Sequence, residues 1–195
     1  MAPMQISIIG TGFIGNTLGH ALAEAGHEVT FGSRRHDVGQ IEGTAARVTP
    51  IGEAIDSSDV VILAIPGQAV PELGEEFGSA LAGKLVIDAT NRMGQVVANN
   101  RAVLPPNIRY ARAFNTLGGE NFANPRFRDG TADLFFSAPT GDRAVMEAII
   151  RGVGLGPVYV GEDREELIDA LFRLWIELAM KQGRGRRLAL KLLQD

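Results

Sequence analysis

Residues 10–15 read Gly10-Thr11-Gly12-Phe13-Ile14-Gly15 and join an apolar run, residues 4–9, to a segment with helical spacing, residues 13–25. This is the G-x-G-x-x-G spacing, placed directly after a predicted strand and at the start of a predicted helix. The first glycine allows the tight turn, the second lets the backbone approach a pyrophosphate, and the third lets helix and strand pack closely. The free N–H groups at the helix start would bind the phosphates. We therefore predict a dinucleotide-binding turn; the alternative is a glycine-rich turn with only a structural role.

Short apolar runs alternate with helical stretches along most of the chain. The further predicted strands are residues 28–31, 47–48, 60–65, 85–89, 108–114, 134–138 and 157–160. Strands separated by helices indicate right-handed βαβ units and a parallel sheet. We predict an α/β fold, a Rossmann-type doubly wound and mostly parallel sheet over residues 1–160, followed by a short helical C-terminal extension over residues 161–195. The segments 94–106 and 118–130 are predicted to be the least regular.

The 195-residue chain has 19 Lys and Arg against 23 Asp and Glu, a net charge of −4. That balance excludes a protein that binds nucleic acid through bulk positive charge. The absence of cysteine excludes disulfides, thiol nucleophiles and zinc ribbons, and the three histidines lie too close together in sequence to suggest a metal site. No run is long and uncharged enough to span a membrane, and no signal peptide is visible. We expect a cytoplasmic protein without a bound metal.

The second predicted strand runs into Gly32-Ser33-Arg34-Arg35, about 20 residues after the glycine turn, where an NAD-binding site usually has an acid. That acid bonds the ribose 2′-hydroxyl and would repel a 2′-phosphate. Here Ser33 and Arg34 can instead donate hydrogen bonds to a 2′-phosphate, and Arg35 can stack on the adenine or pair with the phosphate. We therefore predict NADP rather than NAD; the alternative is a solvated basic loop.

Three further motifs follow predicted strands, at the edge where open α/β sheets bind ligands. They are Ala64-Ile65-Pro66, Asp88-Ala89-Thr90-Asn91 and Ala113-Phe114-Asn115-Thr116-Leu117-Gly118-Gly119-Glu120. Pro66 ends its strand, and Ile65 would offer an apolar wall to a nicotinamide ring. The amides and hydroxyls of the other two motifs can bond the carboxamide or a second ring system. The alternative for each motif is ordinary turn chemistry.

Acid–base machinery is sparse in this sequence. It has no Ser/His/Asp set, no paired carboxylates at a motif spacing and no Tyr-x-x-x-Lys, and both tyrosines, Tyr110 and Tyr159, fall in predicted strands. A carbonyl reductase usually needs a proton donor beside the reacting oxygen, whereas hydride transfer between two ring cofactors depends mainly on positioning. We therefore predict no catalytic side chain and favour a cofactor-to-cofactor reaction.

The last predicted helix covers about residues 164–180. One narrow charged stripe is formed by Asp169, Arg173, Glu177 and Lys181, and nearly everything else from residue 167 to 180 is apolar. A face this wide, around Leu171, Trp175 and Leu178, favours burial against a second subunit over burial within one. We therefore predict a homodimer.

Basic residues are concentrated at the C-terminal end of the chain. They are Lys181, Arg184, Arg186, Arg187 and Lys191. One interpretation is a solubilising helix end, with cations favourable at the helix C-terminus. The other is that some of them attract an anionic small-molecule hydride acceptor.

Taken together, Gly10-Thr11-Gly12-x-x-Gly15, Gly32-Ser33-Arg34, Ile65-Pro66, Asp88-Ala89-Thr90-Asn91 and Ala113-Phe114-Asn115-Thr116 resemble NADP-dependent oxidoreductases of the coenzyme F420 type. That family includes NADPH:F420 oxidoreductases and the reductase domain of the STEAP metalloreductases. The resemblance implies a Rossmann domain with a small helical C-terminal part, usually dimeric, which binds NADPH and a deazaflavin or flavin. It implies NADP contacts from Thr11, Gly12, Phe13, Ile14, Ser33, Arg34, Ile65 and Pro66. It also implies a nicotinamide pocket lined by Asn115, Leu117 and Gly119.

Two other functions stay open at this point. One is an NADP-dependent reductase of imines or oxidoreductase of hydroxy acids, whose relatives usually carry a substantial helical second domain. The other is a non-catalytic NADP(H)-binding sensor or regulatory subunit, which would keep the glycine turn and Ser33-Arg34 but lack a second ring pocket.

Overall fold

The structure is a computed structural model that describes residues 2–34, 39–40, 46–91 and 100–193. Its strands are β1 Gln5–Ile9, β2 Glu28–Ser33, β3 Gly39–Gln40, β4 Arg47–Pro50, β5 Val60–Leu63, β6 Leu85–Asp88, β7 Arg109–Arg112, β8 Arg126–Phe127, β9 Gly130–Thr131, β10 Asp133–Phe136 and β11 Gly156–Tyr159. Its α-helices are α1 Phe13–Glu24, α2 Ile51–Asp56, α3 Val70–Leu81, α4 Glu120–Ala123, α5 Arg143–Gly152 and α6 Glu165–Ile176. Short 3-10 turns cover Gly67–Ala69, Asn100–Val103 and Thr140–Asp142, and α6 continues into a π-helical turn, Glu177–Lys181.

Seven strands form the main sheet, in the order β3-β4-β2-β1-β5-β6-β7. All neighbouring pairs are parallel except the edge pair of β3 with β4. Strand β1 has β2 and then β4 on one side, and β5, β6 and β7 on the other, so the strand order reverses at β1. Such a reversal opens a crevice at the carboxyl ends of the strands. The predicted doubly wound, mostly parallel sheet is confirmed, and residues 10–15 lie at its crevice.

Helices cover both faces of this sheet, and the core therefore consists of two apolar clusters. Successive residues of β1 alternate between them: Ile8 belongs to the cluster that includes α1 and α5, and Ile9 to the cluster that includes α2 and α3. Each central strand is buried on both faces, which explains its continuous apolar sequence. Helix α1 approaches β2 so closely that a Cβ added at Gly19 would lie 2.1 Å from Cζ of Phe31.

Two regions differ from the sequence-based prediction. Strands β10 and β11 pair in a separate two-stranded sheet, and among the described residues one isolated bridge, between Arg112 and Ser137, links this region to β7. The segment 118–130 was predicted to be irregular, yet it contains α4 and part of the β8–β9 hairpin. These elements are only two to four residues long, too short to produce a recognisable hydrophobic period.

The predicted last helix is confirmed, but Asp169, the first member of its charged stripe, faces the interior. Asp169 is buried and paired with Arg112 of β7, whereas Lys181 pairs with Glu177 at 2.9 Å near the surface. A carboxylate that belongs to a charged stripe by its spacing can thus face the interior when a buried cation pairs with it. The domain boundary at residues 160–161 stays a prediction.

Trp175 is also placed differently from the sequence-based expectation. Its ring is 3% exposed, and its Nε1 donates to the Leu188 carbonyl at 2.8 Å, so the chain's own C-terminal segment covers it. The expectation that a partner subunit covers Trp175 is therefore wrong. Leu167 and Leu174 remain 46% and 45% exposed on α6, and the homodimer stays a prediction.

Over the described ranges, no helix is both long enough and apolar enough to cross a membrane. Within the same ranges, no three side chains of the metal-binding types converge on one point.

His27 should make the protein less stable in mild acid. Its Nδ1 accepts the Met4 backbone N–H at 3.3 Å, and burial lowers the pKa of the imidazole below its ordinary value of 6.5. The unfolded chain therefore takes up a proton more readily, and the stabilisation present above pH 6.5 is lost as the pH falls through the lower folded pKa. Urea unfolding at about pH 7.5 and 5.5 should show a smaller pH-dependent loss in His27→Gln than in the wild type. An identical loss in both proteins would contradict this role of His27.

Candidate functional site

The turn between β1 and α1 has a backbone that only glycine accommodates at its first position. Gly10 has a φ of +115°, and a Cβ there would lie 2.5 Å from the Ala64 carbonyl oxygen. Its N–H donates to the Gly32 carbonyl at 3.1 Å, which ties the turn to β2. At the third glycine, Gly15, a Cβ would lie 2.1 Å from the Gly10 carbonyl oxygen, so α1 packs directly on the turn.

The second glycine of the motif has the opposite environment. A Cβ added at Gly12 would meet nothing within 4 Å, although its φ of −75° is accessible to any residue. Gly12 is the N-cap of α1, and no side chain caps this helix. An uncapped N-terminus of a 12-residue helix beside open space offers backbone N–H groups and a positive dipole end to an anion.

Two loops converge on this turn. Ile65, after β5, lies next to Gly10, since a Cβ on Gly10 would be 3.1 Å from Ile65 Cγ2. Gly119, at the start of α4, lies against Phe13 and Ile14, with corresponding distances of 2.5 and 2.6 Å. Phe13 itself is 59% exposed. The fold thus gathers residues 10–15, the end of β5 and the loop before α4 around one crevice.

Beside the crevice, Ser33 ends β2 and Arg34 follows it at the surface. The Arg34 guanidinium is not free: its Nη1 lies 3.2 Å from Oε2 of Glu72 on α3. Arg34 and Glu72 line a small cavity of about 30 Å³ together with Ile9, Ile51, Ile65, Ala69, Leu73, Glu76 and Phe77. Arg35 lies outside the described residues. No acid lies next to Ser33-Arg34 in the sequence, and Glu72, which is distant in sequence, was not predicted to lie there.

A buried polar network lies at the ends of β6 and β7. The Asp88 carboxylate accepts hydrogen bonds from Tyr110 Oη at 2.7 Å, Asn100 Nδ2 at 2.9 Å and the Thr90 N–H at 2.8 Å, and Arg112 Nη1 lies 3.2 Å from it. Burial and the neighbouring Asp88 charge raise the pKa of Tyr110 well above its ordinary value. Asp88 and Thr90 therefore form hydrogen bonds with other buried residues, although their motif was considered as a contact for a ligand.

Arg112 extends this network to α6. It is 1% exposed, and its Nε and Nη2 donate to Asp169 Oδ1 at 3.1 and 2.7 Å, while Nη1 donates to the Thr90 carbonyl at 2.6 Å. The same carbonyl accepts Asn115 Nδ2 at 2.7 Å. This arrangement was not predicted from the sequence. Its signal was Arg112 in the middle of a predicted strand, between two alanines, because a buried charge requires a partner.

The loop after β7 is sharply bent. Phe114 has a φ of +64°, which is rare for a residue other than glycine, and its buried ring meets Phe122 edge to face at 5.7 Å. Asn115 Nδ2 also lies 3.4 Å from the Asn91 Oδ1, whereas Asn115 Oδ1 and Thr116 Oγ1 are buried and have no partner within the described part of the chain. Leu117 is buried in the core cluster of α1.

The basic residues near the C-terminus hold the last segment of the chain in place. Arg187 donates to the backbone carbonyls of Glu120, Asn124 and Arg126, and Lys191 pairs with Asp133 at 2.8 Å. Arg186 pairs with Glu120, and this contact lowers the pKa of that carboxyl. The interpretation as a helix end fits Lys181, which lies in the last helical turn, but not the four basic residues that follow residue 181. Attraction of an acceptor is weakened as an explanation, because four of these five side chains pair with other residues of the chain: Lys181, Arg186, Arg187 and Lys191.

A larger cavity, of about 470 Å³, lies far from this crevice. It is lined by Gln5, His27, Glu28 and Arg47 among others, which places it at the amino ends of the strands. Ligands of open α/β sheets bind at the opposite, carboxyl ends, so we assign the candidate site to the crevice and not to this cavity.

Residues 5–92 match the family model described as NADP oxidoreductase coenzyme F420-dependent. Over these residues the chain is similar to that family. The match includes the glycine turn, Ser33-Arg34, Ala64-Ile65-Pro66 and Asn91. The resemblance inferred from the motifs is confirmed, and so is the prediction of an NADP-dependent oxidoreductase.

Solved structures extend the similarity over almost the whole chain. A candidate F420-dependent NADP-reductase from Arthrobacter sp. FB24 is 21% identical with a TM-score of 0.82, and the match covers 98% of this chain and 100% of that one. A protein of Sinorhizobium meliloti is 23% identical with a TM-score of 0.70, covering 98% and 96%. A reductive aminase from Aspergillus terreus, in complex with NADPH and ethyl levulinate, is 20% identical with a TM-score of 0.72, but the match covers only 64% of its chain and 93% of this one. These similarities establish the shared fold.

The glycine turn of residues 10–15 lies beside several of the other predicted site residues. Ala64 and Ile65 lie against Gly10, and Gly119 lies against Phe13 and Ile14. Pro66 begins the 3-10 turn after β5, and Asn91 and Asn115 meet at the ends of β6 and β7. Which of these residues touch a cofactor stays a prediction.

Proposed function

We propose that this chain is an NADPH-dependent oxidoreductase that transfers hydride between NADP(H) and a ring acceptor, either a deazaflavin such as coenzyme F420 or a flavin. The observation that carries the proposal is the open, uncapped N-terminus of α1 at Gly12, with Ile65 beside Gly10 and Gly119 beside Phe13. The geometry fits a dinucleotide, since a pyrophosphate needs backbone N–H groups and no intervening Cβ. The family match to residues 5–92 and the NADPH complex of the reductive aminase support the same cofactor.

In this proposal each loop of the crevice has one task. The glycine turn and the start of α1, residues 11–15, bind the pyrophosphate. Ser33 and Arg34, with Arg35 beside them in sequence, bind the ribose 2′-phosphate. The nicotinamide end lies among residues 64–66 and the side chains or backbone of Asn91, Asn115, Leu117 and Gly119. When bound, NADPH supplies the hydride. Ile65 and the Gly119 backbone orient the ring and exclude water from it.

The choice of a ring acceptor is supported by the bonding of four titratable side chains. Asp88 is held by Arg112, and Glu120 by Arg186, which lowers the pKa of Glu120 and keeps it ionised at neutral pH. Tyr110 is bound to Asp88, and the Tyr159 hydroxyl donates to the Ala138 carbonyl at 3.0 Å. None of these four groups is available as a proton donor. A ring acceptor needs the protein mainly for positioning, whereas a carbonyl needs a donor beside its oxygen.

The proposal is tested by adding NADPH and then single acceptors to the purified protein. Binding is followed by the nicotinamide fluorescence, and turnover by the loss of NADPH absorbance with F420, FMN, FAD or a cyclic imine. We expect NADPH binding and turnover with at least one ring acceptor. Binding without turnover on any acceptor would favour the sensor interpretation, and the absence of NADPH binding would contradict the proposed function.

A second candidate function is the reduction of imines with NADPH. The observation that favours it is the shared fold with a reductive aminase and with a Streptomyces aurantiacus imine reductase. The chain spans 64% and 63% of these two proteins. Turnover with the cyclic imine and with none of the ring acceptors would select this function.

Arg34→Ala should weaken NADPH binding and leave NADH binding nearly unchanged, because only NADPH carries the 2′-phosphate. We expect a loss of about 1.5 kcal/mol, roughly tenfold, at the lower end for a charge-assisted hydrogen bond because the side chain is exposed. Fluorescence titration with both cofactors measures the two losses. Equal losses would contradict the assignment of Arg34 to the 2′-phosphate.

A further inference from the structure

The acid that the sequence lacks after β2 is supplied by a different element. Glu72 lies in the first turn of α3, and its Oε2 is 3.2 Å from Arg34 Nη1. The two side chains are 67% and 65% exposed, so both are accessible from solvent. Glu76, one helical turn further along α3, lines the same small cavity. Among the described residues that line this cavity, one guanidinium therefore faces two carboxylates.

This arrangement of charges opposes the binding of a ribose 2′-phosphate, which Ser33 and Arg34 favour. A 2′-phosphate must share the Arg34 guanidinium with Glu72, and it carries nearly two negative charges at neutral pH close to a like charge. A free 2′-hydroxyl is a hydrogen-bond donor, for which a carboxylate is a suitable acceptor. The same side chain thus disfavours NADP(H) and can favour NAD(H).

We propose that Glu72 is a specificity-determining residue that lowers the preference of this site for NADP(H) over NAD(H). It acts in two ways: it pairs with Arg34, and it places a hydrogen-bond acceptor at the position of the ribose 2′-hydroxyl. The inference rests on the proposed function, because it requires that Arg34 faces the adenosine ribose. The site therefore binds both cofactors, with a smaller preference for NADP(H) than Ser33-Arg34 alone would produce.

The expected size of the effect follows from the exposure of the pair. Ion pairs between exposed side chains contribute at most about 1 kcal/mol, which corresponds to about fivefold in affinity. Removing the Glu72 charge frees Arg34 and also removes the repulsion of the phosphate. We therefore expect Glu72→Gln to tighten NADPH binding about three- to fivefold at low salt, with no tightening of NADH binding.

The matched control is Glu75→Gln. Glu75 is exposed on the same helix and loses the same charge in the variant, but it does not line the cavity. Dissociation constants for NADPH and NADH are measured by fluorescence titration for the wild type and both variants. The ratio of the NADH constant to the NADPH constant should rise in Glu72→Gln and stay at the wild-type value in Glu75→Gln. The difference should shrink between about 0.05 and 0.5 M salt, because exposed charges are screened.

A double-mutant cycle separates the pairing from a general charge effect. In an Arg34→Ala background, Glu72→Gln should tighten NADPH binding less than in the wild type, because the competition for Arg34 has been removed. An unchanged cofactor ratio in Glu72→Gln, with NADPH still bound through Gly12, would overturn this inference alone. Failure of the wild type to bind NADPH would overturn both this inference and the proposed function.

Discussion

Gly12→Ala should leave the fold intact and weaken NADPH binding by about 100-fold or more, since two charge-assisted hydrogen bonds to the pyrophosphate are worth about 3 kcal/mol together. The space around Gly12 is open in the protein alone, and its φ of −75° suits alanine. The added methyl group therefore projects into the volume that the pyrophosphate would occupy. The free energy of unfolding should change by less than about 1 kcal/mol, because a poorer N-cap is offset by a less flexible unfolded chain.

Gly141→Ala is the matched control for this variant. Gly141 also has open space around the added Cβ and no left-handed backbone, but it lies in the 3-10 turn before α5. Titration calorimetry should give the wild-type NADPH affinity for Gly141→Ala and a strong loss for Gly12→Ala. Unaltered affinity in both variants would place the cofactor elsewhere and contradict the proposed site.

Arg112→Met should lower the free energy of unfolding by about 3–5 kcal/mol, the usual cost of removing one partner from a buried ion pair. The arginine is 1% exposed, and its removal leaves Asp88 and Asp169 without their cation in the interior. It also removes the donor to the Thr90 carbonyl, at 2.6 Å. Urea unfolding followed by circular dichroism measures the loss.

Arg151→Met is the surface control for this second prediction. Arg151 pairs with Glu147 at 3.0 Å on α5 and is 60% exposed, so its removal should cost less than about 1 kcal/mol. The double variant Arg112→Met/Asp169→Asn should lose less than the sum of its single variants, because one unpaired charge is removed with its partner. Similar losses for Arg112→Met and Arg151→Met would show that the buried network does not stabilise the fold.

This network also gives the C-terminal part of the chain a role in the site. Arg112 joins Asp169 of α6 to the Thr90 carbonyl, and that carbonyl in turn accepts the Asn115 amide. On the other side of the crevice, the Arg187 contacts fasten the last residues to the segment after Gly119. Both predicted nicotinamide-side loops are therefore braced by residues that follow the nucleotide-binding sheet.

The glycine turn and the NADP-type sequence after β2 could be predicted from the sequence because their geometry is local. A positive φ at Gly10 and the contact of Gly15 with Gly10 involve residues at most five positions apart, so their spacing specifies the turn. The central strands are likewise visible because burial on both faces requires a continuous apolar run. The predicted family follows from the same local motifs.

Tertiary structure alone decided the electrostatics of the site and the environment of the last helix. Arg34 meets Glu72 across 38 positions of the sequence, and Arg112 meets Asp169 across 57. Trp175 bonds Leu188 through a segment without helical period. No local pattern determines which charged residues pair over such separations, because the partner is chosen by how the sheet and helices pack. The sequence therefore determined the fold and the type of cofactor turn, while packing determined whether each charge faces water, a ligand or another charge.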